Sequence, residues 1–168
     1  MVSRPVNVTI AELCAHYGPQ LHLAANISGS KLMFAIAGAE SSFGTDCKPR
    51  HEPAYDVGGL YASNPPMPNL LARWGSAAAY SYGAWQVLLC SAPTFTPDEL
   101  TNDPDAAARA FVAHMNGYVL GMRKAQTITQ IAETYNAGHF STNPPPGVLR
   151  YTAAVMQYYL NEYLPNAG

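Results

Sequence analysis

The sequence predicts a mainly α fold in a single domain spanning residues 1–168. Three observations predict it. Apolar residues recur at helical spacing in several windows, and capping signals stand where those windows begin. No alternation of apolar and polar residues runs long enough to make a substantial strand. A chain of 168 residues can bury a sizeable core without metals or disulfides.

The elements follow in order. Thr9-Ile10-Ala11-Glu12 has the form of a capping box, so a short helix is expected to about His16, before Gly18-Pro19. Ser30 is placed to cap a second helix through Leu32, Phe34, Ile36 and Ala39, ending near Ser42-Phe43-Gly44. Its Ala35, Ala37, Gly38 and Ala39 invite close packing by neighbours. From Gly44 to about Pro68 helical periodicity is lost among prolines and glycines, and a long ordered loop of this kind is usually functional. A small hairpin is expected within 55–65, and a helix over Asn69–Ala79. Thr96-Pro97-Asp98-Glu99 caps a short turn. Asp103-Pro104-Asp105 opens a helix to about Leu120, and Thr127 opens another that stops at Gly138. A last helix is expected from about Val148 to Tyr163, after Pro144-Pro145-Pro146.

Composition narrows the function. Net charge is -2, and no tight basic group is larger than Lys48, Arg50 and His51, so no nucleic-acid partner is expected. No apolar run reaches the length of a membrane span, so no membrane insertion is expected. Cys14, Cys47 and Cys90 allow at most one internal disulfide. Cys14 and Cys90 read as small core residues and Cys47 as a loop residue. The start, MVSRPVNVTIAEL, lacks the apolar core of a secretory signal. That suggests a chain held in the cytoplasm, exported by an unusual route, or trimmed from a longer exported protein. Eleven tyrosines suit a surface that takes neutral polar ligands such as sugars. Motifs of zinc proteases, dinucleotide folds, P-loops and serine hydrolases are missing from the sequence. His114 reads as an ordinary helix-face residue.

Glu40 is the most informative position. It follows eight uncharged, mostly apolar residues, Leu32–Ala39. A carboxyl at the end of such a helix is paired, solvated, or pushed to a higher pKa by desolvation, and the last of these suits a general acid. Taken alone, Glu40 reads more simply as a solvated helix end.

Three blocks change that weighing: Glu40-Ser41-Ser42-Phe43-Gly44, Tyr82-Gly83-Ala84-Trp85-Gln86-Val87, and Ala132-Glu133-Thr134-Tyr135-Asn136-Ala137-Gly138. In this order they resemble the soluble lytic transglycosylases and goose-type lysozymes of the lysozyme-like superfamily, over roughly residues 30–160. The family has a Glu-Ser at a helix end, a Gly-x-x-Gln and a Tyr-Asn-Ala-Gly. The resemblance implies a lysozyme-like fold with Glu40 as catalytic acid and base, and a Tyr135 hydroxyl close to its carboxylate. Ser41 would hydrogen-bond near Glu40 or the sugar, and Gln86 would hold substrate polar groups. Gly83 would let the glycan approach the backbone, and Asn136 would support the cleft. Trp85, where the family more often has Met, would stack on a sugar ring.

The expected partner is then the peptidoglycan glycan strand, cut between N-acetylmuramic acid and N-acetylglucosamine, with no metal or organic cofactor and a monomeric enzyme. Such a chain acts on the cell wall, delivered by a phage or as an exported domain. The expected reaction is lytic transglycosylation, which leaves 1,6-anhydro ends and needs only Glu40. A hydrolase (a muramidase) would need a second carboxylate, and Asp46, Glu52 and Asp56 stand in the long loop. Glu52 is the preferred second site residue, and a salt bridge with Arg50 or Lys48 is its plainer reading. Chitin cleavage and a non-catalytic glycan-binding module are the remaining alternatives.

Overall fold

In a computed structural model of the chain, residues 9–161 are described. Helices dominate: α1 (Ile10–Tyr17), α2 (Gly29–Ser41), α3 (Met67–Trp74), α4 (Pro97–Asn102), α5 (Pro104–His114), α6 (Ile128–Ala137) and α7 (Pro146–Leu160). Among the described residues, no helix is long and apolar enough to cross a membrane.

The capping signals locate helix starts well, because each acts within one turn. Thr9 and Glu12 cap α1 reciprocally, Thr96 and Glu99 do the same for α4, and Thr127 and Gln130 for α6. The Asp103 side chain accepts the Asp105 N–H at the start of α5. For α2 the cap is Ser28 and not the expected Ser30. Its hydroxyl accepts the Lys31 N–H, and Gly29 fills the first helical position. The helix after Asp103 changes form instead of running on unchanged: α5 ends at His114 and passes into a π-helical segment, Met115–Met122. The helix expected over 69–79 starts earlier, at Met67, and gives way at Trp74 to a 3-10 turn. The last helix begins at Pro146, two residues early, and the expected end at Tyr163 lies outside the described residues.

The expected hairpin within 55–65 is not there; that stretch is a chain of tight turns. The sheet is built from segments further apart: β1 (Arg50–His51), β2 (Tyr80–Tyr82) and β3 (Val87–Leu88), antiparallel in the order β1-β2-β3. Arg50 pairs with Ser81 and Ser81 with Leu88. Strands of two or three residues carry no readable period, so the sequence pattern cannot reveal them.

α2 is the central helix, with α1 and α7 packed on it and α6 packed on α7. Its small residues permit this. A Cβ at Gly38 would come within 2.5 Å of the Phe43 ring and 2.9 Å of Tyr158. The core joins Leu32 and Ile36 of α2 to Trp85, Phe111, Ile131 and Val155. All three cysteines are free: Cys14 is buried as expected, whereas Cys47 and Cys90 are half-buried.

Candidate active site

A cleft of about 980 Å³ opens between the end of α2, the small sheet with its following loop, the π-helical turn and the end of α6. Glu40 lies in its wall, on the last turn of α2. The helix stops directly behind it, because Ser42 and Phe43 take left-handed backbone angles (φ 50° and 59°). Apolar α2 presents the carboxyl to the cleft while hiding most of it: the side chain is 7% exposed. Burial pushes its pKa up, one of the three outcomes expected for a carboxyl at the end of an apolar helix. The Tyr151 hydroxyl and the Arg50 guanidinium pull it down, and the charge of Glu52 adds to the rise. The helix C-terminus also disfavours a negative charge here.

Arg50 Nη1 lies 3.2 Å from Glu40 Oε2, and Nη2 donates to the Glu40 carbonyl oxygen at 2.9 Å. The Tyr151 hydroxyl, buried on α7, lies against the same carboxyl and favours its charged form. It meets no acceptor in full hydrogen-bond geometry among the described residues. In the sequence Tyr151 reads as part of the apolar face of its helix, and Arg50 as part of a small basic group, with Glu52 as a salt-bridge partner of Arg50 or Lys48. Among the described residues Arg50 pairs with Glu40 instead.

Of the three candidates for a second carboxylate, Glu52 lines the cleft. Asp46 is exposed and does not line it, and Asp56 is held by His51 Nε2 at 2.7 Å, also off the cleft. Glu52 is set in place by a chain of polar groups. The Gln86 amide nitrogen donates to the carbonyls of Lys48 (3.2 Å) and Gly83 (3.0 Å), which leaves its Oε1 as an acceptor. The Ser81 hydroxyl lies 2.9 Å from Gln86 Oε1 and 3.0 Å from Glu52 Oε1, and donates its one proton to either. Gln86 therefore lines the cleft as expected, but its amide already serves the protein: its nitrogen is held by two carbonyls and its oxygen competes with Glu52 for the Ser81 proton. No pattern in the sequence marks Ser81, because its role depends on pairing with Arg50 across the sheet.

Three site expectations are corrected. Trp85 is fully buried, donates its indole N–H to the Met33 carbonyl at 2.9 Å and packs on Phe111, so it has no face for a sugar. Gly83 is needed for packing, since it has φ 74° and a Cβ there would meet Ala107 at 2.9 Å and the Leu100 carbonyl at 3.0 Å. It is not a place where glycan nears the backbone, and neither residue lines the cleft. Ser41 is buried and also off the cleft. Its hydroxyl lies 2.6 Å from the Ala84 carbonyl and accepts the Gly44 N–H at 2.9 Å.

Tyr135 and Asn136 line the cleft at the end of α6. Burial and the charge of Glu40 push the Tyr135 pKa up, and its hydroxyl donates to the Trp85 carbonyl instead of the expected carboxylate. His114 also lines the cleft, which its plain helix-face reading missed. Its ring stacks on Tyr118 and meets the edge of Tyr135, and burial lowers its pKa to about 4. Among the described residues no cluster of His, Cys, Asp or Glu is arranged to hold a metal ion. Comparison with known proteins finds no matching family model, no matching curated protein and no matching solved structure.

Proposed function

We propose that this protein cleaves the β-1,4 bond between N-acetylmuramic acid and N-acetylglucosamine in peptidoglycan, with Glu40 as the proton donor. The observation that carries the reading is Glu40 itself: a carboxyl 7% exposed at the end of an apolar helix, raised in pKa, in the wall of an open cleft. The likeness of three sequence blocks to lytic transglycosylases supplies the substrate class. In a transglycosylase reaction Glu40 protonates the glycosidic oxygen as the C1–O bond breaks. Its carboxylate then takes the proton of the sugar's 6-hydroxyl as that oxygen closes on C1. The product ends are 1,6-anhydro sugars, and Glu40 is returned in its protonated form.

The position of Glu52 favours a second reading, hydrolysis. Glu52 lines the same cleft, raises the pKa of Glu40, and is oriented by Ser81. A carboxylate so placed would activate water on the other side of the sugar. Mass spectrometry of digested, purified peptidoglycan separates the two. Anhydro ends that persist in Glu52→Gln support the transglycosylase; reducing ends that vanish in Glu52→Gln support the muramidase. If the parent protein releases neither, both readings fail, and a glycan-binding module becomes the better account.

A further inference from the structure

Arg50 opens β1 and reaches out of the sheet to the last turn of α2, bridging two walls of the cleft. It holds Glu40 at two points, the carboxylate oxygen Oε2 at 3.2 Å and the backbone carbonyl at 2.9 Å. The second bond also satisfies one of the carbonyls left open at the helix end. A guanidinium is planar, so gripping both atoms at once restricts where the carboxyl can sit. The exposures are unequal: the Arg50 side chain is 53% exposed and that of Glu40 is 7% exposed.

The groups that face Glu40 come from several elements. Arg50 belongs to β1, Glu52 follows it, Tyr135 is on α6 and Tyr151 on α7. Arg50 is the one cation among them. We propose that Arg50 is a positioning residue for Glu40, fixing the carboxyl in the cleft wall and supplying the positive charge against which it releases and regains its proton. Burial alone would leave Glu40 reluctant to part with that proton, and an acid that cannot release it cannot act. Arg50 opposes burial from the exposed side of the cleft, so the proton stays transferable. The inference rests on the reading of Glu40 as the acid.

The test begins without substrate. Glutamate carboxyl carbons labelled with carbon-13 are titrated by NMR in the full chain, with Glu40→Gln used to assign the Glu40 signal. In R50Q the Glu40 midpoint is expected to move to higher pH, because the favourable cation is gone. In R50K, which keeps the charge but lacks the fork, the midpoint should stay near the parent's. Turnover of purified peptidoglycan by R50K should nevertheless fall about 10-fold or more, with KM little changed, as misplacing a catalytic group does. A midpoint in R50Q equal to the parent's overturns the proposal and leaves Arg50 as a strut between sheet and helix. If R50Q fails to fold, R50K decides, since parental turnover in a folded R50K protein also overturns it. A shifted midpoint in a protein that cleaves no peptidoglycan supports the control of Glu40 by Arg50 while rejecting the substrate.

Discussion

The Tyr135 hydroxyl donates to the Trp85 backbone carbonyl across 2.5 Å, tying the end of α6 to a turn 50 residues earlier. The Ser41 hydroxyl meets the neighbouring carbonyl, that of Ala84, at 2.6 Å. The three sequence blocks thus converge on two consecutive carbonyls in the turn between β2 and β3. This junction sets the α2 end, the sheet and α6 around the cleft. Of the block residues that line the cleft, Glu40 is the one carboxyl.

Tyr135→Phe should therefore act first on stability. The ring still packs on Phe111, but the Trp85 carbonyl loses its donor. A cost of about 1–3 kcal/mol is expected for a buried acceptor left unpaired, read as a lower midpoint in urea unfolding. Turnover should fall as well, because the junction holds the cleft walls. Parental stability in this variant would show that the bond contributes nothing.

Trp85→Ala separates core packing from sugar stacking. Removing a fully buried indole that packs on Phe111 and bonds the Met33 carbonyl should cost about 3–5 kcal/mol. A ring that stacked on sugar would behave in the opposite way, with stability kept and glycan binding lost. Thermal unfolding beside a glycan pull-down distinguishes the two.

His114 makes the fold sensitive to acid. Its folded pKa is about 4, below the ordinary value near 6.5, so the unfolded chain takes up a proton that the folded one refuses. Its contribution is complete above about pH 6.5 and declines as the pH falls toward 4, by up to about 3 kcal/mol. His114→Leu should flatten the dependence of unfolding free energy on pH in that window. An unchanged slope between pH 6.5 and 4 would place the sensitivity elsewhere.

Glu40→Gln should reduce cleavage by at least ~100-fold, the scale of general acid catalysis, while the protein still folds. Its effect on stability has a definite sign. A carboxyl whose folded pKa is raised contributes stability below its unfolded value, and that contribution is lost as pH rises through the folded one. Glutamine carries no such charge, so the variant should gain stability relative to the parent on going from acid to neutral pH. Melting temperatures at the two pH values, with turnover measured alongside, check both halves. Near-parental turnover would remove Glu40 from the mechanism.

Local signals were legible in the sequence. Thr9, Thr96 and Thr127 announce their helices because a cap and its partner lie three residues apart, and Gly138 ends α6 with φ 80°. The mainly helical class followed from such signals, and Glu40 stood out because the eight residues before it, Leu32–Ala39, are uncharged and mostly apolar. A cap can still be misplaced by two residues when two serines compete, as Ser28 and Ser30 do at the start of α2.

What tertiary structure decided is every relation between distant residues. The strands at 50–51, 80–82 and 87–88 are too short to show a period and exist only because they pair. That pairing sets Ser81 beside Glu52 and sends Arg50 to Glu40, and α7 brings in Tyr151 from more than a hundred residues away. Trp85 and Gly83 carry the residue types of a sugar site, but burial turns them into packing. The sequence by itself determined the helices and one suspicious carboxyl, because those depend on neighbours along the chain. Which groups surround that carboxyl, and hence how tightly it holds its proton, depends on distances through space that no local pattern encodes.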